Sequence, residues 1–179
     1  MTPERVDPVE IPAADLDPET AVEQLVLSAM LWSPSGTVTA HAAHLDVTDF
    51  ALPVHRALLT AIIGVSARGA QPHPALVLAQ LRDAGELVGR PGRLVADALT
   101  TVATTASEPG ALGVYVDELL TQSLRRSISE AGHAMVAAAG EVPTAQLWEA
   151  FQRIGRDVRD GPAARLSAWR DGVPRPTAG

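Results

Sequence analysis

The sequence predicts an all-α protein, in which a small globular helical bundle is followed by a long antiparallel helical hairpin. Hydrophobic residues make up 46% of the 179 residues but aromatic residues only 3%, so alanine, leucine and valine must do the packing. Alanine and leucine are strong helix formers. Apolar residues also recur three or four apart along most of the chain, and no stretch shows the alternation that is typical of a strand.

The chain opens with a segment that lacks periodicity. Residues 1–17 carry prolines and acidic residues, which predicts a flexible N-terminal arm. The first helix then begins with Asp17 as N-cap, Pro18 at the first helical position and Glu19 as an acid in the first turn. It ends before Pro34, and its apolar stripe comprises Val22, Leu25, Val26, Ala29 and Met30.

Further short helices complete the predicted bundle, which we expect to span residues 18–105. Pro53 can start one of them, because proline is tolerated in the first helical turn, and Gly69 can close it. Its predicted buried face comprises Val54, Leu58, Ala61, Ile62 and Val65. The other predicted helices cover residues 35–44, 74–83 and 93–104.

The hairpin is predicted over residues 108–160, after the break at Ser107-Glu108-Pro109. Apolar residues lie three or four apart on its first helix, at Leu120, Leu124, Ile128, Ala131, Met135 and Ala138. Its second helix, about 143–160, presents Leu147, Phe151, Ile154 and Val158. Gly140 and Pro143 mark the turn between the two arms, and such a short loop indicates an antiparallel pair. Residues 161–179 contain Gly, Pro and Arg without periodicity, which predicts a flexible tail.

Composition excludes several classes of function. The net charge of −7 argues against strong direct binding to nucleic acid. Lysine is absent and no G-x-x-x-x-G-K-[ST] motif occurs, so a phosphate-binding P-loop, and with it ATPase activity, is not expected. There is no cysteine, no signal-peptide pattern and no apolar run long enough to cross a bilayer, so we expect a cytoplasmic protein without membrane contact.

The sequence offers only weak candidates for a catalytic or metal-binding site. His41 and His44 lie three residues apart and could share a metal ion, but a third ligand is not specified by the spacing, so a solvated or capping role is favoured. Glu19 and Glu23 form an acid pair four residues apart, and helix-start electrostatics is a simpler explanation than catalysis for at least Glu19. An enzyme built on His41, His44 and His55 is an alternative of low rank. We predict no catalytic residue, no metal site and no cofactor.

One short segment carries the most information. Residues 49–56, DFALPVHR, are called the signature segment below. Phe50 is interpreted as an apolar anchor, Pro53 sets the turn into the helix, and His55 in the first turn can bond to backbone or to a neighbouring acid. Arg56 can bridge outward to an acid, and Asp49 opens the segment. No nucleophile or base stands beside it, which favours a structural role.

The signature segment resembles the D-F-Y-x-P-x-H-R pattern in the N-terminal domain of DnaB-type replicative DNA helicases. The stretch EQLVLSAMLWSP, from Glu23 to Pro34, is similar to that family's first helix, and Tyr115, Leu119, Arg125 and Arg126 match the start of its hairpin. Ser28 and Ala51 depart from the pattern, where the family has a glycine and an aromatic residue. The RecA-like ATPase domain is missing from this sequence, which predicts a standalone relative.

The resemblance implies a non-catalytic scaffold in DNA replication. It implies self-association through the hairpin into dimers, with a higher ring as an extension, and contact with replicative helicase, primase or helicase loader. The interface residues expected on this basis are Leu120, Leu124, Arg125, Arg126, Ile128, Met135, Leu147, Trp148, Phe151 and Ile154. The alternative is a regulator that mimics the helicase collar or competes for primase, of phage or plasmid origin.

Overall fold

The computed structural model describes residues 18–172, and within that range it contains helices and no strand, which confirms the all-α prediction. The predicted arm at residues 1–17 lies outside the described residues. The α-helices are α1 Pro18–Leu31, α2 Ser35–Ala42, α3 Pro53–Ser66, α4 Pro74–Asp83, α5 Gly89–Thr104, α6 Leu112–Glu141, α7 Thr144–Val158 and α8 Ala164–Gly172. Short 3-10 turns at Val47–Asp49 and Pro109–Ala111 precede α3 and α6.

Helix α1 lies at the centre of the bundle. It packs against α3, α5 and α6, and its residues Leu27 and Met30 are fully buried. The surrounding core is mainly aliphatic, with Phe50 as the largest fully buried side chain. Because leucine, valine and alanine fill this core at helical spacing, the bundle needs few aromatic residues.

The first arm of the hairpin belongs partly to the bundle. Helix α6 has 30 residues, which is about 45 Å at 1.5 Å per residue. Its first half contributes to the same continuous core as α1 and α3 through Leu112, Val116, Leu119 and Leu120. Its second half projects beyond the bundle and packs mainly against α7. The bundle therefore fixes the direction of the hairpin.

The second arm continues past the end that the sequence suggests. A π-helical turn, Arg159–Ala163, joins α7 to α8, and α8 packs back along α6 with Leu166 and Trp169 buried. The predicted tail is therefore wrong for residues 161–172, while residues 173–179 lie outside the described range. Pro162 has no N–H and would clash with the preceding turn of a regular helix. The wider π turn accommodates it, so the helical path continues instead of ending.

The turn between α4 and α5 depends on two glycines. A Cβ added to Gly92 would lie 2.1 Å from the carbonyl carbon of Leu87, whereas real Cβ atoms essentially never approach closer than 3.0 Å. Gly89, at the start of α5, has a φ of 68° that also favours glycine. The α5 helix thus begins four residues before the predicted position, at Gly89.

Replacing Gly92 by alanine is expected to lower the free energy of unfolding by about 1–2 kcal/mol, because the new methyl group displaces backbone. The matched control is Gly36→Ala in α2, where the added Cβ meets nothing within 4 Å. That control should be neutral or stabilising by up to about 1 kcal/mol. Urea unfolding monitored by circular dichroism measures both, and equal effects would contradict the assignment.

Candidate interaction surface

Asp49 of the signature segment is the centre of a buried polar cluster. Its carboxylate is fully buried and accepts hydrogen bonds from Ser123 Oγ at 2.7 Å, Arg165 Nη2 at 2.6 Å and Arg165 Nε at 3.1 Å. It also accepts the backbone N–H of Asp46 at 2.8 Å, as part of a capping box. This Asp49 cluster therefore joins the 3-10 turn to α6 and to α8. In the same box, hydrogen bonds from Thr48 hold the pKa of the Asp46 carboxyl below its usual value.

His55 is bonded to a carboxylate from another helix. Its Nδ1 lies 2.6 Å from Oε2 of Glu23 on α1, and both side chains are almost completely buried. The other carboxylate oxygen of Glu23 accepts the backbone N–H of Ala51. The pair thus fastens α1, α3 and the loop between Asp49 and Pro53. A buried carboxyl group needs such hydrogen bonds, because burial removes the water that would otherwise solvate it.

The remaining signature residues shape the backbone. Phe50 is fully buried, and Pro53 occupies the start of α3. The Arg56 guanidinium donates to the backbone carbonyls of Phe50 at 2.7 Å and Ala51 at 3.2 Å, so it bonds to its own loop and not outward to an acid as expected. The signature segment therefore holds the neighbouring helices and its own loop together.

The two adjacent arginines of the hairpin have different environments. Arg126 Nη2 donates to the backbone carbonyls of Thr48 at 3.1 Å and Asp49 at 2.9 Å, and Nη1 lies 3.5 Å from Glu19. Arg125 is exposed. Arg126 therefore stabilises the fold by joining α6 to the 3-10 turn and to α1, whereas the Arg125 side chain is exposed to solvent.

The rings of His41 and His44 pack against the aromatic ring of Trp169. The ring centroid of Trp169 on α8 lies 5.5 Å from that of His41 and 5.4 Å from that of His44. Among residues 18–172, no group of three or more His, Cys, Asp and Glu side chains is placed to bind a metal ion. The two imidazoles instead help to dock α8.

Within the same residues, no helix is both long enough and apolar enough to cross a bilayer.

The structure divides the eight apolar residues among the ten predicted interface residues into three groups. Leu120 is buried in the core, and Leu124 packs against it, so the prediction that Leu120 is available to a partner is wrong. Met135, Leu147 and Ile154 are partly buried. Ile128, Trp148 and Phe151 remain 55%, 69% and 45% exposed.

These three exposed side chains are called the outer hairpin face below. The rings of Trp148 and Phe151 are stacked with centroids 6.1 Å apart and an interplanar angle of 8°. Two large aromatic side chains held in contact with water are unusual in a chain with so few aromatics. Such a surface suits contact with another protein.

Sequence reasoning missed several residues of these surfaces. The sequence pattern shows Glu23 only as the acid four residues after Glu19, although Glu23 alone of the two is buried. Arg165 and Trp169 fell in the supposed tail, where the spacing of Leu166 and Trp169 was the available signal. Ser123 carried no signal, because a serine within a helix gives no indication of its partner.

The fold and these contacts define an all-α module in which a helical bundle carries a projecting hairpin with exposed apolar side chains. Residues 16–116 match the family model described as "DnaB-like helicase N terminal domain". As this match covers more than half of the chain, the protein belongs to that family, which confirms the resemblance noted in the signature segment.

A solved structure supports this membership. The crystal structure of the N-terminal domain of DnaB helicase from Mycobacterium tuberculosis is 27% identical, with a TM-score of 0.65. The match covers 78% of this chain and 95% of the mycobacterial chain. No curated protein matches the sequence.

Proposed function

We propose that this protein is a non-catalytic scaffold in DNA replication, which self-associates through the outer hairpin face and contacts replicative helicase, primase or a helicase loader. Membership of the helicase N-terminal domain family supports a role in DNA replication. The observation that carries the self-association is the exposed stack of Trp148 and Phe151. The polar contacts of the signature segment serve to join helices, which supports a non-catalytic role.

The energetics favour a second copy on this face. Full burial of a large apolar side chain contributes about 1.5–3 kcal/mol, and association costs about 4–15 kcal/mol. A two-fold pairing buries Ile128, Trp148 and Phe151 from both copies, because each copy presents the same patch. Two hairpins packed in this way form a four-helix bundle.

The test is the molar mass in solution. At tens of micromolar, light scattering after size exclusion should give a dimer or larger assembly for the intact chain. Phe151→Asp should shift the protein to monomer, because the contact would bury an unpaired charge. The control is Val114→Asp, which places the same charge at a side chain that is 70% exposed near the start of α6. An intact chain that is monomeric at this concentration would contradict the proposal.

The choice of partner needs a separate experiment. Pull-downs of purified helicase, primase and loader with the intact chain separate a scaffold from a regulator. A scaffold should be retained together with an active helicase, whereas a mimic of the collar should displace helicase from primase. Absence of binding to all three would contradict the replication role while leaving the self-association unaffected.

A further inference from the structure

Helix α8 lies in a groove on the bundle, called the α8 groove below. The groove is formed by α2, the 3-10 turn before α3 and the first half of α6, through His41, His44, Asp49, Gly113 and Asp117. The Trp169 ring lies against both imidazoles and over Gly113, where an added Cβ would be 3.8 Å from the indole. Trp169 and Leu166 are only 6% and 7% exposed. These two side chains are therefore the apolar contacts that dock α8.

Two carboxylates of the α8 groove bind the two arginines that flank this apolar contact. Asp49 accepts Nη2 of Arg165 at 2.6 Å and its Nε at 3.1 Å. Asp117 accepts both Nε and Nη2 of Arg170 at 2.9 Å. The Arg170 guanidinium, and to a smaller extent the indole N–H of Trp169, hold the pKa of the Asp117 carboxyl below its usual value. Two-point contacts fix the orientation of a guanidinium, so the groove favours arginine over lysine.

The docking side chains of α8 share one face of the helix. They are Arg165, Leu166, Trp169 and Arg170. At about 100° per residue, these positions fall at about 0°, 100°, 40° and 140° around the helix axis. The α8 groove therefore fits a short amphipathic helix with the pattern R-L-x-x-W-R, in which basic and apolar groups lie on the same side.

The α8 groove is shaped by contacts that do not involve α8. The His41 ring is positioned by its Nδ1, which donates to the carbonyl oxygen of Thr37 at 2.8 Å. Asp49 accepts Ser123 Oγ at 2.7 Å and the backbone N–H of Asp46 at 2.8 Å. These partners belong to α2, to α6 and to the N-cap of the 3-10 turn, so the groove does not need α8 for its shape. A site that is already ordered loses little conformational entropy when it binds a ligand.

Helix α8, by contrast, depends on the groove. It has nine residues, and isolated helices shorter than roughly 12–15 residues are marginal in water. It is joined to α7 through the π turn, in which Gly161 and Pro162 both disfavour a continued helix. The ion pair within that turn, Arg159 with Asp160, joins exposed neighbours and does not tie the turn to the bundle. Release of α8 therefore costs less free energy than unfolding of the bundle.

We propose that the α8 groove is a binding site for a helix of a partner protein with the R-L-x-x-W-R arrangement, and that α8 is the internal competitor for this site. The docked α8 shows the chemistry that the groove accepts, which is an aromatic side chain between two arginines. Such a helix is basic, and the net charge of −7 attracts it. Because the groove must first be vacated, α8 weakens the binding of the partner in proportion to the fraction of free groove. The α8 groove shares no residue with the outer hairpin face, so this inference does not rest on the proposed self-association.

A peptide with the sequence of α8 serves as the probe. Fluorescence anisotropy measures the binding of labelled AARLSAWRDG, residues 163–172, to the full-length protein. Trp169→Ala weakens the docking of α8 but leaves every residue of the groove in place, so this variant should bind the peptide at least about tenfold more tightly than the intact chain. The control is Trp32→Ala, because Trp32 is 41% exposed and packs against His73 outside the groove. It should bind the peptide as the intact chain does. Equal affinity of the intact chain and Trp169→Ala would contradict the proposal.

A second variant loosens α8 without removing a buried side chain. Arg170→Glu brings a like charge to Asp117, and since both positions are partly exposed the protein should remain folded, which circular dichroism verifies. Its affinity for the peptide should rise about fivefold. A folded Arg170→Glu variant that binds the peptide no better than the intact chain would show that α8 does not compete for the groove.

Charge exchange places the peptide in the groove. Asp117→Arg, added to the Trp169→Ala chain, should abolish binding of the unchanged peptide, because like charges then face each other. The peptide with Arg170→Glu should bind this double variant again, which neither unfolding nor unspecific attraction to an acidic protein could produce. Binding of the unchanged peptide that is indifferent to Asp117→Arg would overturn the α8 groove as a site for a partner helix.

Discussion

Replacing Arg165 by methionine is expected to lower the free energy of unfolding by about 3 kcal/mol. The substitution keeps most of the side-chain volume but removes two hydrogen bonds to the fully buried carboxylate of Asp49. Removing one partner of a buried pair typically costs about 3–5 kcal/mol, because the other charge is left without compensation. Ser123 and the backbone N–H of Asp46 continue to solvate Asp49, which places the expected loss at the lower end.

The same helix offers a closely matched control. Arg170 also makes a two-point contact, with both Asp117 oxygens at 2.9 Å, but these side chains are 52% and 39% exposed. The Arg170 guanidinium holds the pKa of the Asp117 carboxyl below its usual value. Water screens this pair, so Arg170→Met should cost at most about 1 kcal/mol.

Urea unfolding of the two methionine variants gives their free energies of unfolding, and the comparison separates the effect of burial from the effect of the two-point contact. The expected difference between them is about 2 kcal/mol, with a similar dependence on urea concentration. If both variants lose the same small amount, α8 does not depend on the Asp49 cluster. A variant of Arg165 that loses Trp169 burial, seen as a red shift of fluorescence, would show that the cluster also docks the aromatic side chain.

Replacing His55 by alanine is expected to lower the free energy of unfolding by about 2–3 kcal/mol. The change leaves the buried carboxylate of Glu23 with the Ala51 N–H as its remaining described partner. Hydrogen bonds to charged groups contribute about 1.5–3 kcal/mol, and the lost imidazole also leaves a cavity.

The control for His55 is a histidine at a helix end. His73 is exposed, accepts the N–H of Ala75 at 3.4 Å and makes an edge-on ring contact with Trp32, so His73→Ala should cost about 0.5–1 kcal/mol. Thermal unfolding and the light-scattering mass should be measured on both variants. His55→Ala should unfold at lower temperature yet assemble normally once folded. A fully stable His55 variant that no longer assembles would reassign this residue to an interface.

The elements with local start and stop signals were predictable from the sequence. Pro18, Pro53 and Pro74 each begin a helix as expected, because proline fits the first turn. The hairpin arms also followed, since apolar spacing reveals a buried stripe without knowledge of its partner. The resemblance of the signature segment identified the family for a related reason, as its residues are consecutive and can be compared directly.

The same local rules failed at Gly161-Pro162. Glycine and proline together indicate the end of a helix, which is why the sequence predicts a tail over residues 161–179. The chain continues through a π turn because Leu166 and Trp169 become buried and Arg165 reaches Asp49. These tertiary contacts offset the local cost of proline within a helix. Local preference alone contains no information on that compensation.

The sequence by itself determined the helical class, most helix boundaries and the family. The tertiary structure decided which polar residues meet and which apolar residues stay exposed. Glu23 and His55 are 32 residues apart, Asp49 and Ser123 are 74 apart, and Asp49 and Arg165 are 116 apart. Periodicity shows that a residue lies on a face but not what that face meets, so Leu120 and Phe151 look alike in sequence although one is buried in the core and the other is exposed on the outer hairpin face.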